Sequence, residues 1–296
     1  MATIDTDPWA SWLLQRRHGG NEDCQRIVLE NLKAVRDKVI ENANLGKGQT
    51  LLDVGTGDGL IGFSATEKAG ADGTVIFSDL SEQLLDVCKE YATQADLLDR
   101  CKFVKMDATD LSPIESESVD AVTTRSVIIY VADKQRAFDE FYRVLKPGTG
   151  SRLSMFEPIA KLRHEFEPKG IYLGYDVRPI KDLMEKIAKA HEPQHASQST
   201  MGDFDERDLL KMLQKSGFSH IEMELRVTIG NAGMYSKNWE AFYNSAPNPL
   251  VSTFREELEL SLTQEERERV IAYLRPLVES NTGRMAQCMA YIHAEK

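Results

Sequence analysis

Between Thr50 and Phe156 the chain alternates short apolar runs with longer amphipathic ones, and this rhythm limits its fold more than any other feature. Thr50–Val54, Thr74–Ser78, Lys102–Met106, Val119–Thr124 and Arg152–Phe156 have the length and apolar content of strands. Leu60–Lys68, Ser81–Gln94 and Asp133–Leu145 lie between them with helical spacing, and Ser81 and Asp133 are good N-caps. Lys146-Pro147-Gly148 stops the last of these helices. Short apolar strands separated by helices imply a parallel sheet covered on both faces.

After Glu157 the rhythm changes. Helices are predicted around Ile180–Ala190 and Asp205–Ser216, then strands at His220–Ile229 and Met285–His293. The segment between those strands holds a helix at Trp239, the loop Ala246-Pro247-Asn248-Pro249 and charged helices, with Thr263 and Glu266 forming a capping box. Upstream, residues 22–44 read as one amphipathic helix with Ile27, Val28, Leu32, Val35, Val39 and Ile40 on its apolar stripe. The expected fold class is α/β: a Rossmann-like, doubly wound, mostly parallel seven-stranded sheet with helices on both faces, plus helical cap insertions. The expected segments are an N-terminal helical arm or lid (1–44), the core sheet (45–157), a cap insertion (158–202), the core continued (203–229), a second helical cap (230–282) and a final strand (283–296).

The formal charge is -11, from 36 Lys+Arg against 47 Asp+Glu. Such a surface repels polyanions, so a nucleic-acid partner is disfavoured. No apolar run approaches the roughly 20 residues of a membrane span. The N-terminus has acids first and arginines last, the reverse of a signal peptide. Cys24, Cys88, Cys101 and Cys288 are scattered without zinc-site spacing, which suits free thiols in a reducing cytoplasm and predicts no metal site. His191 and His195 are four apart but flank Pro193 in a polar stretch, which argues against a helical metal pair. Trp9, Trp12, Tyr172, Tyr175 and Trp239 are candidates for an apolar substrate wall, against ordinary core packing.

The most informative segment is Leu51-Leu52-Asp53-Val54-Gly55-Thr56-Gly57-Asp58-Gly59, which follows a strand and opens a helix. Glycines allow a tight turn and close approach of a ligand to the backbone. The helix N-terminus behind them favours an anionic group. A dinucleotide turn wants G-x-G-x-x-G, but Leu60 stands where its third glycine belongs. Asp53, two residues before Gly55, would repel a pyrophosphate and suits an amine. A ligand with an amino-acid end, a ribose and an adenine fits this turn better than NAD.

These residues resemble the first motif of the class I S-adenosylmethionine-dependent methyltransferases, apolar-apolar-acid-apolar-Gly-x-Gly-x-Gly, which residues 51–59 match throughout. Asp79 and Asp107 end the second and third strands, where that family places acids. Val144-Leu145-Lys146-Pro147-Gly148 is similar to the ubiquinone/menaquinone-type, small-molecule subgroup, although Gly148-Thr149-Gly150 replaces its usual double glycine. The resemblance implies S-adenosyl-L-methionine as cofactor. It puts the backbone of Gly55, Thr56 and Gly57 against the methionine part, Asp53 near the amino group and Asp79 on the ribose hydroxyls. Leu80 would pack on the adenine and Asp107 and Ala108 read its edge, with Arg125 and Ser126 beside the sulfonium and substrate mouth. Arg17 is a further candidate for the cofactor carboxylate. His18, Tyr130 and Glu157 are the candidates for catalysis: a base, a pocket-lining hydroxyl and a group orienting a substrate donor.

The methyl acceptor is expected to be a small organic molecule. The Asn/Asp-Pro-Pro-aromatic motif of nucleic-acid amino methyltransferases is replaced after the fourth strand by Thr124-Arg125-Ser126-Val127. The sequence does not specify O, N or C as the accepting atom, and a homo-oligomer is compatible with it. A catalytically inactive cofactor-binding scaffold and an NAD-dependent oxidoreductase are the alternatives.

Overall fold

The structure is a computed structural model that describes residues 7–148, 150–191, 199–231 and 237–296. Helix α1 (Pro8–Ser11) is capped by Asp7, whose carboxylate accepts from the Trp9 and Ala10 N–H groups. A wider π-helical turn at Trp12–Arg16 and helix α2 (Glu22–Asn42) follow. The buried stripe of α2 includes Cys24, Val28, Val39 and Ile40, whereas Ile27 is 46% exposed. Ile27 sits about 100° round the helix from Val28, and Cys24, four residues before Val28, takes the place on the stripe that the sequence suggested for Ile27.

The chain continues through β1 (Thr50–Val54), α3 (Leu60–Ala69), β2 (Thr74–Asp79), α4 (Glu82–Gln94), β3 (Cys101–Lys105), β4 (Ala121–Arg125), α5 (Lys134–Val144) and β5 (Arg152–Pro158). Then come α6 (Ala160–Glu165), β6 (Ile171–Tyr172), β7 (Tyr175–Asp176), α7 (Lys181–Ala190), α8 (Glu206–Ser216), β8 (His220–Asn231), α9 (Trp239–Asn244), α10 (Phe254–Ser261), α11 (Gln264–Glu279) and β9 (Arg284–Glu295). The main sheet has seven strands in the order β3-β2-β1-β4-β5-β9-β8. The pairs from β3 to β5 are parallel, and β5–β9 is antiparallel. This is the α/β sheet that the alternating pattern predicted.

Both faces of the central strands are dry. Leu51, Val75 and Phe77 pack with Val39 and Ile40 of α2, Ile61 and Ala65 of α3, and Leu85 and Cys88 of α4. The alternate residues Leu52, Ile76, Val122, Leu153 and Met155 are buried as well. Burying one such large side chain contributes about 1.5–3 kcal/mol, and that burial holds the strand ends in register. β4 starts later than the apolar run, because Val119 forms an isolated parallel bridge with Leu145. On successive strands β1 and β4 the connections diverge, one side leading to β2 and β3 and the other to β5, so a crevice forms at their C-terminal ends.

The chain divides into two compact units. One comprises residues 32–159, 200–226 and 289–296 and holds the central strands. The other comprises residues up to Asn31, 160–199 and 227–288. The core of this second unit gathers Tyr175, Leu183, Trp239, Phe242, Phe254, Leu258, Val270 and Leu274. Tyr175 and Trp239, candidates for a substrate wall, are 2% and 5% exposed; within that core Tyr175 meets the Phe242 ring edge-on and Trp239 stacks on it. Trp12 donates its indole N–H to the Ala246 carbonyl at 2.9 Å. Capping boxes at Thr253/Glu256 and Thr263/Glu266 start α10 and α11. His191 is buried at the end of α7, and His195 lies outside the described residues. Among the described residues no helix is long and apolar enough to cross a membrane.

Candidate active site

After Val54 the chain turns through Gly55, Thr56, Gly57, Asp58 and Gly59 into α3. The three glycines have φ of +66°, +58° and +82°, a region that costs side-chain-bearing residues roughly 1–2 kcal/mol. A Cβ on Gly55 would stand 2.3 Å from Val127 Cγ2, and one on Gly59 would stand 2.4 Å from the Phe63 ring. From sequence alone these glycines are expected to let a ligand approach the backbone closely. At Gly55 and Gly59 the protein's own packing already requires the missing side chain.

Asp53 is 2% exposed on β1. One carboxylate oxygen accepts from the Thr56 hydroxyl at 2.7 Å and the other from the Thr123 hydroxyl at 2.8 Å. Thr123 is its register partner on β4. Burial pushes the Asp53 carboxyl up to about 6, although these hydroxyls favour its charged form. Among the described residues no cation contacts it within ion-pair distance; Arg125 acts only from further away.

Asp79 ends β2 and is 9% exposed. Its two oxygens accept from the Gly57 N–H at 2.9 Å and the Ser81 N–H at 3.0 Å. Leu80, beside it, is 47% exposed. The Met106 N–H donates to the Asp79 carbonyl at 3.1 Å, which joins this strand end to that of β3. There Asp107 is exposed and accepts from the backbone N–H and hydroxyl of Thr109, both at 2.7 Å, while Ala108 is buried. The fold thus brings Asp53, Gly55, Thr56, Gly57, Asp79, Leu80, Asp107 and Ala108 to the C-terminal ends of three adjacent strands.

At the end of β4, Arg125 and Ser126 are half-buried, and Ser126 takes a φ of +55° while donating its N–H to the Phe156 carbonyl. Tyr130 is half-buried at the end of the following turn. Glu157 is completely buried. Its oxygens accept from the N–H groups of Val127, Ile128 and Ile129 at 2.9, 3.0 and 3.2 Å. Burial nevertheless raises its carboxyl to about 7. Expected to orient a substrate donor, Glu157 instead orients backbone: it is a positioning residue for the loop after β4. Arg17 and His18 belong to the other compact unit, where the Arg17 guanidinium lies 5.2 Å over the Trp12 ring.

Four contributors were missed from sequence. Thr123 and Val127 reach the turn through strand register and a loop that folds back, neither of which a local pattern encodes. Ser78 donates its hydroxyl to the Asp53 carbonyl at 3.0 Å, also across strands. Cys88 donates its thiol to the Gly57 carbonyl at 3.4 Å, and burial pushes that thiol up, so it stays protonated. Only Cys88 had a readable signal, since it shares the apolar face of α4 with Leu84, Leu85 and Ala92.

A cleft of about 450 Å³ between α5 and α8 is lined by Lys134, Phe204 and Lys211 and contains none of these site residues. Lys134 there is buried and paired with Asp203 at 2.7 Å, a structural contact.

The ubiE/COQ5 methyltransferase family model matches residues 25–236. The chain is 28% identical over 207 residues to a demethylmenaquinone methyltransferase of Clavibacter sepedonicus, covering 69% of this chain and 79% of that one. It is 27% identical over 191 residues to the ubiquinone/menaquinone biosynthesis C-methyltransferase UbiE of Francisella tularensis, covering 64% and 74%. Among solved structures, the YcgJ protein of Bacillus subtilis aligns with a TM-score of 0.53 at 14% identity, over 88% of this chain and 97% of that one. The Haemonchus contortus phosphoethanolamine N-methyltransferase 2, solved with S-adenosylhomocysteine, aligns with a TM-score of 0.51 at 18% identity, over 89% and 52%. These structures share the fold, and the family match covers most of the chain with the glycine turn and strand-end acids inside it; the chain belongs to the ubiE/COQ5 methyltransferase family and is an S-adenosyl-L-methionine-dependent methyltransferase of small molecules.

Proposed function

We propose that the strand-end cluster is the cofactor site and that each residue acts on a different part of the cofactor. The observation that carries this reading is the buried Asp53 carboxylate, held by the Thr56 and Thr123 hydroxyls at the glycine turn with no cation in ion-pair contact among the described residues, and raised to about 6 by burial. An ammonium group would complete it, and the cofactor's amino-acid end offers one. Asp79 binds the ribose hydroxyls: the Gly57 and Ser81 N–H groups fix its carboxylate at the end of β2, beside the glycine turn. Asp107 and Ala108 read the adenine edge, and Leu80 supplies an exposed apolar surface for its ring. The Gly55–Gly57 backbone lies along the methionine part, and Arg125 and Ser126 flank the mouth.

When bound, the cofactor supplies a methyl group already activated as a sulfonium. The protein's task is then to hold the acceptor in line and exclude water, and alignment of this kind lowers a barrier by about 7–11 kcal/mol in favourable cases. Glu157 contributes by fixing the loop 127–129, and Tyr130 at the end of that loop meets the acceptor. The acceptor we propose is a small planar organic molecule methylated on a ring atom. The names of the two relatives, which refer to quinone compounds, support a reduced quinone ring as the first compound to try. The four buried cysteine thiols, with no disulfide between them, suit a reducing cytoplasm.

The test is calorimetric titration with S-adenosylmethionine, followed by incubation with isotopically labelled cofactor and a panel of demethylated quinols, amines and carboxylates. Label transferred to a ring carbon of a quinol is the expected result. Cofactor binding with label transferred only to an amine or carboxylate overturns the acceptor assignment, and absence of cofactor binding overturns the site.

A further inference from the structure

Away from the strand ends that hold the glycine turn, β8 and β9 bring together His220, Glu222 and His293. His220 and Glu222 stand two apart on β8, so the pleat turns their side chains to one face. His293 comes from the neighbouring strand. His220 Nε2 lies 2.9 Å from one Glu222 oxygen, and His293 Nε2 lies 3.5 Å from the other. One donor atom from each residue falls within 4.8 Å of the others. A tetrahedral ion with bonds of about 2.1 Å separates its donors by about 3.4 Å. The two contacts use different Glu222 oxygens, and with one atom from each residue all three donors lie within 4.8 Å, so small side-chain rotations suffice to reach that spacing.

We infer that His220, Glu222 and His293 form a binding site for one divalent transition-metal ion of the zinc class, with water at the remaining position. Two imidazole nitrogens and one carboxylate suit such an ion. Magnesium and calcium prefer all-oxygen shells. The donors stand on two paired strands, so less ordering is needed than on a loop. His293 is 15% exposed, while His220 and Glu222 are 57% and 61% exposed, which leaves the solvent side open for water.

The charges around the trio do not block a cation. Arg152 on β5 is the nearby positive group, and its Nε donates to Glu295 at 3.0 Å. Lys38 of α2 is held by Glu224, which also meets Arg226 at 3.2 Å. Glu222, Glu224 and Glu295 thus balance Arg152, Lys38 and Arg226, and the chain as a whole carries -11. The bound ion would join β8, the last strand of the sheet, to β9 through side chains as well as backbone.

The test uses the full chain, free of any tag, stripped with a chelator and held at about pH 7.5, where imidazole is free to ligate. Cobalt(II) serves as a spectroscopic probe and zinc(II) as its competitor. One equivalent of cobalt should give visible d–d bands that zinc abolishes, and zinc should raise the melting temperature. Glu222→Gln and His220→Ala should each weaken binding by at least about tenfold, since loss even of a ligand's hydrogen-bond partner costs about 10–100-fold. Both residues are exposed, so these variants keep the fold and no conclusion depends on altering His293. S-Adenosylmethionine affinity should stay unchanged in both. No d–d bands, or equal metal affinity in wild type and both variants, would overturn the site and leave only ion pairing between Glu222 and the histidines.

Discussion

The carboxylate of Asp79 accepts a hydrogen bond from the Gly57 backbone N–H at 2.9 Å, and this contact ties the end of β2 to the glycine turn after β1. Two features that lie far apart in sequence are thus one structural unit. A change at Asp79 acts on the ribose contact proposed for it and on the turn that carries the methionine part.

Asp79→Ala should therefore weaken S-adenosylmethionine binding by about 1.5–3 kcal/mol, the usual range for a lost hydrogen bond to a charged group. Calorimetry checks this. Asp79→Asn keeps an acceptor for the Gly57 N–H and should retain the wild-type melting temperature more closely than Asp79→Ala. Wild-type affinity in the alanine variant would exclude the ribose role.

Gly55 faces Val127, and a Cβ on it would come within 2.3 Å of a valine methyl. Gly55→Ala should lower stability through two separable causes. Overpacking costs about 1–3 kcal/mol, and the left-handed φ of +66° adds roughly 1–2 kcal/mol. In the double variant Gly55→Ala/Val127→Ala the first cause disappears and the second remains. Denaturant melts of the two single variants and the double should show that partial recovery.

Local patterns revealed the strands, their helices and the caps at Ser81, Asp133 and Thr263, because each of these is set within a few residues. The positions of Asp53 on β1 and of Asp79 at the end of β2 were legible from the short apolar strand runs that contain them. The fate of Glu157 was not legible. Its three partners lie about 30 residues upstream and are backbone groups, which leave no trace in side-chain identity. The same holds for Thr123, whose hydroxyl matters only because β1 and β4 pair in one register. Ile27 was misassigned because an apolar residue at the margin of a helical stripe looks the same in sequence whether or not anything covers it.

Asp53 and Glu157 make a pH prediction with a definite sign. Both carboxyls are raised by burial, to about 6 and about 7. In the unfolded chain they ionise near pH 4, so between about pH 4 and 7 the native state holds more protons than the unfolded state. Their contribution to stability is present below pH 4 and is lost as pH rises through the folded values. Glu157→Gln removes one of these groups. The stability difference between Glu157→Gln and wild type should shift in favour of the variant across pH 4.5 to 7, in thermal or urea melts at a series of pH values. A constant difference would mean that the native carboxyl titrates normally. Lowered groups such as Asp205 and Glu140 act with the opposite sign, but they are common to both proteins and cancel in the comparison.

The cationic partner proposed for Asp53 can be tested by changing either side of the contact. Asp53→Asn keeps the shape and can still meet the Thr56 and Thr123 hydroxyls, yet it has no charge to offer an ammonium group. S-Adenosylhomocysteine should bind this variant at least about tenfold more weakly, the scale of a charge-assisted hydrogen bond worth roughly 1.5–3 kcal/mol. A deaminated analogue lacks the ammonium group, so its affinity should be nearly the same for wild type and variant. The double-mutant cycle formed by two proteins and two ligands then isolates the pairwise term. A coupling near zero would mean that the buried carboxylate serves only to bind Thr56 and Thr123, and that the amino end of the cofactor is held elsewhere.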